Sequence, residues 1–243
     1  MTERLQKLIA TAGYGSRRWA ERLIEQGRIE VNNKTANIGD KCNITDRVKI
    51  DGRTIDLERY SEEETKVLIL NKQAGVICSN KDEEGRKSVY DLLPKESRWV
   101  MVGRLDLNTS GLLLFTNNGD LANKLMHPSS QIDREYAVRV LGQVEQEDLK
   151  KLTEGIELDD GFAKFNRVTA GGGEGANRWY KVVLKEGRKR EVRRLWEALG
   201  FKVSRLIRVR FGEIRLPERL RANQFDYLKP GQVNLLLRSV KLK

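Results

Sequence analysis

The side chains of this sequence that are best suited to chemistry are carboxylates and arginines, because other catalytic groups are scarce. In 243 residues there are one histidine and two cysteines. His127, Cys42 and Cys78 are too far apart in sequence for the known zinc-binding patterns. The sequence also lacks a G-x-x-x-x-G-K-[ST] loop, which argues against a P-loop nucleotide site. If the protein is an enzyme, we expect it to use carboxylates and arginines, with no metal or other cofactor.

An arginine and an aspartate stand close together in the segment from Gly103 to Gly111, between two apolar stretches. In an extended chain Arg104 and Asp106 face the same side, and the polar residues after them predict a turn. On this evidence three roles are open for Asp106: it stabilises the turn, forms half of an ion pair, or acts in catalysis.

A second candidate segment is strongly basic. Between Lys185 and Arg210 there are ten basic and three acidic side chains. The pattern predicts a helix over 190–199 and a strand over 205–211, whose alternation places Arg208 and Arg210 on one face. The density of arginine favours contact with phosphate groups over the alternative, a solvated helix face.

The composition predicts a globular protein that binds a polyanion. The formal net charge is +11, with 39% hydrophobic and 33% charged residues. A positive charge of this size points most often to nucleic acid. The longest apolar stretches are far shorter than the roughly 18 residues of a membrane span, and the N-terminus lacks the pattern of a signal peptide. We therefore expect a cytoplasmic protein without a membrane partner.

The chain divides by pattern into two parts. Residues 1–60 predict two helices followed by short strands, with Ser16 as a helix N-cap and Gly27 as a helix end. Residues 61–65 are acidic and without periodicity, which we interpret as a linker; the alternative is an exposed loop within one domain. Residues 66–243 alternate strands and helices, with strands in excess, and the predicted class is α+β.

Several elements of the larger part can be predicted individually. Strands are expected over 67–70, 111–116, 135–141 and 179–184, and a helix over 120–127. Tyr136, Val138 and Val140 share one face of their strand. We interpret His127 as a helix cap rather than a catalytic base, and the glycine run at 171–175 as a hairpin loop rather than a phosphate cradle.

These segments resemble the motifs of pseudouridine synthases. Gly103–Asp106, with Thr109 and the apolar run at 111–114, is similar to the central motif, whose aspartate is the catalytic residue. Arg134–Val138 resembles the second motif, whose aromatic residue stacks on the target base. Gly187–Arg193 resembles the third, whose arginine pairs with the catalytic aspartate. Two departures are Arg134, where many members have Lys, and Glu191, where many have Gln.

The first 60 residues resemble an S4 RNA-binding domain, through the segments at 15–18 and 27–31. The combination is typical of synthases that modify ribosomal RNA. It implies a catalytic domain built on a mixed, mainly antiparallel sheet. It also implies ribosomal RNA as the partner, and a uridine of 23S rRNA near the peptidyl transferase region as the target. No cofactor is implied, and we expect a monomer.

The resemblance assigns catalytic roles to Asp106, Tyr136 and Arg193. Together with the charge pattern it predicts RNA contacts by ten arginines: Arg17, Arg18, Arg22, Arg28, Arg104, Arg188, Arg190, Arg194, Arg208 and Arg210. The competing hypotheses are a non-catalytic RNA-binding or ribosome-assembly factor and a DNA-binding regulator that uses the helix over 16–26. A pure RNA-binding protein has no need of the three catalytic positions, so their joint presence favours an enzyme.

Overall fold

The computed structural model describes residues 2–58, 64–79, 84–173 and 175–242. The chain forms two compact units, Met1–Thr65 and Lys66–Lys243, here called the N-terminal and C-terminal units. The predicted linker lies mostly outside the described residues, which resume at residue 64. Within the described part, no helix is long and apolar enough to cross a bilayer.

The N-terminal unit packs two helices on small antiparallel sheets. Its elements are β1 (Glu3–Arg4), α1 (Leu5–Thr11), α2 (Arg17–Glu25), β2 (Ile29–Val31), β3 (Lys34–Thr35), β4 (Lys41–Cys42), β5 (Val48–Ile50) and β6 (Arg53–Ile55). Ser16 caps α2, accepting a hydrogen bond from the Trp19 amide at 3.0 Å, as the sequence predicts. The same helix buries Ala20, Leu23 and Ile24, so its basic side chains are left in solvent.

The C-terminal unit contains a nine-stranded sheet with helices. Its elements are β7 (Val67–Lys72), β8 (Val100–Val102), β9 (Ser110–Thr116), α3 (Gly119–Met126), β10 (Arg134–Leu141), α4 (Gln146–Glu154), β11 (Ile156–Leu158), β12 (Gly161–Ala163), β13 (Arg167–Ala170), β14 (Asn177–Leu184), α5 (Glu191–Glu197), β15 (Lys202–Phe211), β16 (Ile214–Arg215), β17 (Phe225–Tyr227) and α6 (Pro230–Ser239), with single 3₁₀ turns at Val89–Leu92 and Pro128–Ser130. The main strand order is β13-β14-β10-β15-β9-β7-β17, with β16 on β15 and β8 on β9. All these pairs are antiparallel except β15 with β9. The predicted α+β class is confirmed.

Strand β9 lies in the middle of this sheet and is covered on both faces. Leu113 and Phe115 join one hydrophobic cluster, and Leu112 and Leu114 join another on the opposite face. A strand that is buried on both faces consists of consecutive apolar residues, and for that reason β9 can be predicted from the sequence. The strand therefore gives the polar segment before it a rigid base.

The predicted alternation of β15 is wrong at its C-terminal end. In the pairing with β10, Arg208 lies opposite Tyr136 and Arg210 lies opposite Glu135. The two arginines are two residues apart on β15, but their partners are consecutive residues of β10. A β-bulge at this point adds one residue to β15 and reverses the faces that follow. Arg208 therefore lies on the face of Tyr136, and Arg210 on the opposite face with Glu135.

The remaining local predictions agree with the structure except at the ends of some elements and for two helices. His127 follows α3 as its C-cap, and its Nδ1 accepts a hydrogen bond from the Ser129 amide at 3.2 Å, so that it also caps the 3₁₀ turn at Pro128–Ser130. The glycine run connects β13 and β14, an antiparallel pair, as a hairpin loop, of which residue 174 lies outside the described part. Helix α5 begins only at Glu191, because Arg190 adopts a left-handed conformation with φ 52°. Helices α4 and α6 have no counterpart in the sequence-based prediction.

Candidate active site

A cavity of about 1270 Å³ opens in the C-terminal unit where β10, β15 and the segment before β9 meet. Asp106 and Tyr136 both line it, as do Arg104, Arg134 and Arg208. The residues from Lys185 to Arg190, here called the basic loop, form another part of its wall. Fold topology therefore brings together residues from all three motifs recognised in the sequence.

Asp106 lies on a loop, residues 103–109, that is held from beneath by a buried lysine. The Nζ of Lys72 donates to the carbonyl oxygens of Thr109 at 2.9 Å, Asp106 at 3.2 Å and Leu107 at 3.4 Å. Lys72 is completely buried, and burial lowers the pKa of its ammonium group, while the Asp106 charge acts in the opposite direction. These bonds fix the backbone of the Asp106 loop and leave its carboxylate half-buried at the cavity.

Strand β9 approaches β15 very closely at the end of this loop. A Cβ on Gly111 would lie 2.3 Å from the Arg208 carbonyl oxygen, and the φ of Gly111 is +102°. Both features require glycine, because a side chain would collide with the neighbouring backbone. Gly111 thus allows the Asp106 loop and Arg208 to lie beside the same cavity.

Arg193 is held differently from what the resemblance implies. Its Nη1 donates to the Val203 carbonyl at 3.0 Å and its Nη2 to the Asn108 carbonyl at 2.8 Å. Among the described residues it forms no ion pair with Asp106, so the expected direct salt bridge is not present in this structure. Burial lowers the pKa of Arg193, and the nearby Asp106 carboxylate opposes this shift. Arg193 therefore braces the Asp106 loop through its backbone while its charge remains close.

Tyr136 lies on the cavity face of β10, with 8% of its surface exposed. Val138 and Val140 follow it into the core on the same face, as predicted. A planar ring fixed at the edge of a core and facing a cavity is suited to stacking against a flat ligand.

The arginines predicted to contact RNA fall into two groups. Five of them form hydrogen bonds with carboxylates. Arg28 forms two hydrogen bonds with Asp51 at 2.7 and 2.6 Å, Arg194 forms two with Asp160 at 2.7 and 2.9 Å, Arg190 bonds Glu197 at 3.1 Å, and Arg210 bonds Glu135 at 2.8 Å. Arg188 also belongs to this group, since it bonds Glu186 and the backbone carbonyls of the β11–β12 turn, Asp160, Gly161 and Phe162.

The second group contains Arg17, Arg18, Arg22 and Arg104, which are exposed and form no side-chain hydrogen bond or ion pair with any described residue. Arg208 belongs to neither group, because it is buried and its side chain forms one hydrogen bond within the described part of the chain, from Nε to the Leu112 carbonyl at 2.7 Å. The segment from Lys185 to Arg210 therefore does not form one continuous exposed surface, because Arg210 is paired with a carboxylate and Arg208 is buried in the cavity wall.

Three residues of the site were not singled out from the sequence as functional. They are Lys72, Arg134 and Glu191; burial raises the pKa of Glu191, whose Oε2 accepts a hydrogen bond from the Arg188 amide at 3.0 Å. For Lys72 a signal existed, because a lysine that ends an apolar strand must find internal acceptors. No comparable signal marks Arg134, since its burial depends on how the strands pair.

Comparison with known proteins agrees with this geometry. The profile of the RNA pseudouridylate synthase family matches residues 66–198, and that of the S4 domain matches residues 3–48. Over 246 aligned positions the chain is 51% identical to ribosomal large subunit pseudouridine synthase B of Escherichia coli strain K12, covering 100% of this chain and 84% of that protein. The protein of the same name from Yersinia pestis is 50% identical, with 100% and 77% covered.

A solved structure supports the same relationship. A crystal structure of a pseudouridylate synthase superposes with a TM-score of 0.67 at 26% identity, covering 96% of this chain and 99% of that one. The resemblance drawn from the motifs is thus confirmed by both sequence and fold. This chain belongs to the RNA pseudouridylate synthase family and carries an S4 domain at its N-terminus.

Proposed function

We propose that the protein isomerises a specific uridine to pseudouridine in 23S ribosomal RNA, near the peptidyl transferase region. The observation that carries the proposal is the placement of Asp106. Its carboxylate lies at the cavity on a braced loop, and it forms no hydrogen bond or ion pair with any described side chain. A non-catalytic RNA-binding factor has no need of such an arrangement. The names of the curated relatives support a large-subunit target.

The reaction breaks the N1–C1′ bond of uridine and forms a C5–C1′ bond, so it needs no electron or energy carrier. In our proposal Asp106 attacks the electron-poor C1′, as carboxylates do in retaining glycosidases, and frees the uracil to turn. The turned base then bonds to C1′ through C5, which breaks the bond between C1′ and the Asp106 oxygen and regenerates the carboxylate; the proton on C5 is lost while N1 gains one. Atoms and charge are unchanged overall.

The neighbouring residues position this chemistry. The target base must leave its stack to reach Asp106, and the Tyr136 ring offers a surface for it to pack against. Lys72 and Arg193 hold the Asp106 loop by its carbonyls and bring two positive charges near the carboxylate. A nucleophile held this way needs little reorganisation when the reaction begins.

We further propose a division of labour along the chain. Residues 1–60 bind and target RNA through the exposed Arg17, Arg18 and Arg22, residues 61–65 act as a linker, and residues 66–243 carry out catalysis. The protein acts as a monomer in the cytoplasm, where ribosomes are assembled. The boundary between the two compact units, after Thr65, supports the division.

The test is a map of pseudouridines in ribosomal RNA from cells with and without the protein. We expect one site, or a small group of sites, in 23S rRNA to be lost and then restored by the wild-type chain. Restoration by an Asp106→Asn chain would contradict the assigned mechanism. An unchanged 23S map with a lost 16S site would contradict the proposed target.

A further inference from the structure

Two arginines of the cavity wall remain without a role in the mechanism above. Arg134 on β10 and Arg208 on β15 are 9% and 2% exposed, and both line the cavity. Arg208 lies directly opposite Tyr136 in the strand pairing, and Arg134 lies two residues before Tyr136, so all three share one face of the sheet. Two cationic side chains are therefore buried beside the ring that faces the cavity.

Neither of these guanidinium groups has an acidic partner. Arg134 donates to the Ile132 carbonyl at 3.0 Å and the Lys185 carbonyl at 2.5 Å. Arg208 donates from Nε to Leu112, and its buried Nη2 has no hydrogen-bond partner in the described part of the chain. No carboxylate of a described residue is in ion-pair distance of either arginine. Arg210 on the same strand differs, because it contacts both Glu135 and Asp133.

Such an arrangement is unfavourable for the protein alone. A buried charge is normally paired, and an unpaired one carries a large desolvation cost. The two guanidinium carbons lie 5.2 and 5.4 Å from the centre of the same ring, Phe211, which offers only partial compensation. Burial lowers the pKa of Arg134, and the charge of Arg208 lowers it further, against the effects of Tyr136 and Glu191. An anion that enters from the cavity would compensate these charges.

We propose that Arg134 and Arg208 form an anion subsite that receives one phosphodiester group of the bound RNA, next to the base that packs on Tyr136. The identification of the anion as RNA phosphate rests on the proposed function. Guanidinium groups suit this ligand because their planar array of donors matches phosphate oxygens. The subsite anchors the target nucleotide by its backbone, whereas the exposed arginines attract RNA of any sequence.

The subsite can be tested without catalysis, using calorimetric titration of the full chain with uridine 5′-monophosphate and with uridine. The wild type should bind the monophosphate at least about tenfold more tightly, as expected for charge-assisted hydrogen bonds. Arg208→Gln should lose most of this preference. The matched control is Arg205→Gln, which removes the same charge from an exposed residue of the same strand and should leave the preference intact.

Arg208→Lys covers the case in which Arg208→Gln does not fold. It keeps the charge but replaces the planar guanidinium with a single ammonium group. Its preference for the monophosphate over uridine should therefore be weaker than that of the wild type but still measurable. A wild type that binds both ligands equally would overturn the proposal. So would a folded Arg208 variant with an undiminished preference.

The outcome is separable from that of the proposed function. If the protein forms no pseudouridine in any rRNA but prefers the monophosphate through Arg208, the activity assignment fails and the subsite stands. If pseudouridine forms and no preference is found, the subsite fails and the activity stands.

Discussion

The N-terminal helix α2 and the segment from Lys185 to Arg210 are both rich in arginine, but the two regions use it differently. On α2 the basic side chains are exposed and have no partner among the described residues, because the helix buries only its apolar face. In the second region Arg188, Arg190, Arg194 and Arg210 are bound to carboxylates, and Arg193 is bound to backbone carbonyls. Charge density in a sequence is therefore a poor measure of charge available to RNA.

The difference assigns distinct tasks to the two regions. Exposed cations contribute long-range attraction and contacts that depend on salt. Cations that are paired with carboxylates stabilise the local structure around the cavity, and this pairing reduces the charge that they offer to the ligand.

Loss of the most deeply buried cation should have the largest effect. Lys72→Met leaves the carbonyls of the Asp106 loop without their donor, so we expect a loss of about 2–4 kcal/mol in stability and at least roughly a hundredfold in turnover. Thermal unfolding and single-turnover assays would measure both. The control is Lys181→Met, an exposed lysine on β14. Wild-type turnover in folded Lys72→Met would show that the loop does not depend on this lysine.

Removal of the N-terminal unit should have the next largest effect. A chain that begins at Lys66 should fold and keep its chemistry, but kcat/KM on rRNA should fall roughly tenfold to a hundredfold, because tethering no longer raises the local concentration of RNA. Circular dichroism and rRNA assays at several RNA concentrations would show it. Equal kcat/KM of the full-length and shortened chains on the natural substrate would contradict a targeting role of the N-terminal unit.

Neutralising the exposed arginines should change the salt dependence of RNA binding. For Arg17→Gln, Arg18→Gln and Arg22→Gln combined, the slope of log K against log salt should become less steep by roughly 2, since each phosphate contact contributes about 0.7–0.9. Melting temperature should hardly change. The matched variant removes three paired arginines through Arg188→Gln, Arg190→Gln and Arg194→Gln, and we expect the opposite pattern, a lower melting temperature with a smaller change in slope. Equal slope changes would remove the distinction between the two regions.

The smallest effect concerns the Glu135–Arg210 pair. Burial acts to raise the pKa of Glu135, but the Arg210 hydrogen bond and charge prevail and the pKa is lowered from its ordinary 4.5. A carboxylate with a lowered folded-state pKa stabilises the protein above its unfolded-state pKa and loses this contribution as pH falls through the folded value. The wild type should therefore exceed Glu135→Gln by about 1–2 kcal/mol at pH 7, and by progressively less below about pH 4.5. Unfolding measured from pH 7 to pH 3 would contradict this if the difference stayed constant.

Much of the fold could be predicted because its signals are local. The cap at Ser16, the apolar run of β9 and the alternation around Tyr136 each depend on residues close in sequence, and each is present as predicted. The resemblance to a known family singles out Asp106 and Tyr136, which both line the cavity, and Arg193, which binds the backbone of the Asp106 loop; their catalytic roles stay predictions.

What could not be predicted depends on contacts between distant segments. The bulge that separates Arg208 from Arg210 is visible only when β15 is aligned with β10. Likewise, the partner of Arg194 is Asp160, which lies 34 residues away on another element. Sequence spacing assigns a side chain to a face only while the strand remains regular.

The most direct test of the central claim, that Asp106 is the nucleophile of an RNA isomerase, is pseudouridine formation by purified Asp106→Asn chain on a 23S rRNA transcript. Asparagine has nearly the same volume but is a far poorer nucleophile than a carboxylate. A gel-shift assay on the same transcript would report binding, and Asp120→Asn would serve as the control substitution. We predict no detectable pseudouridine with binding preserved, and appreciable pseudouridine from a verified Asp106→Asn protein would contradict the mechanism.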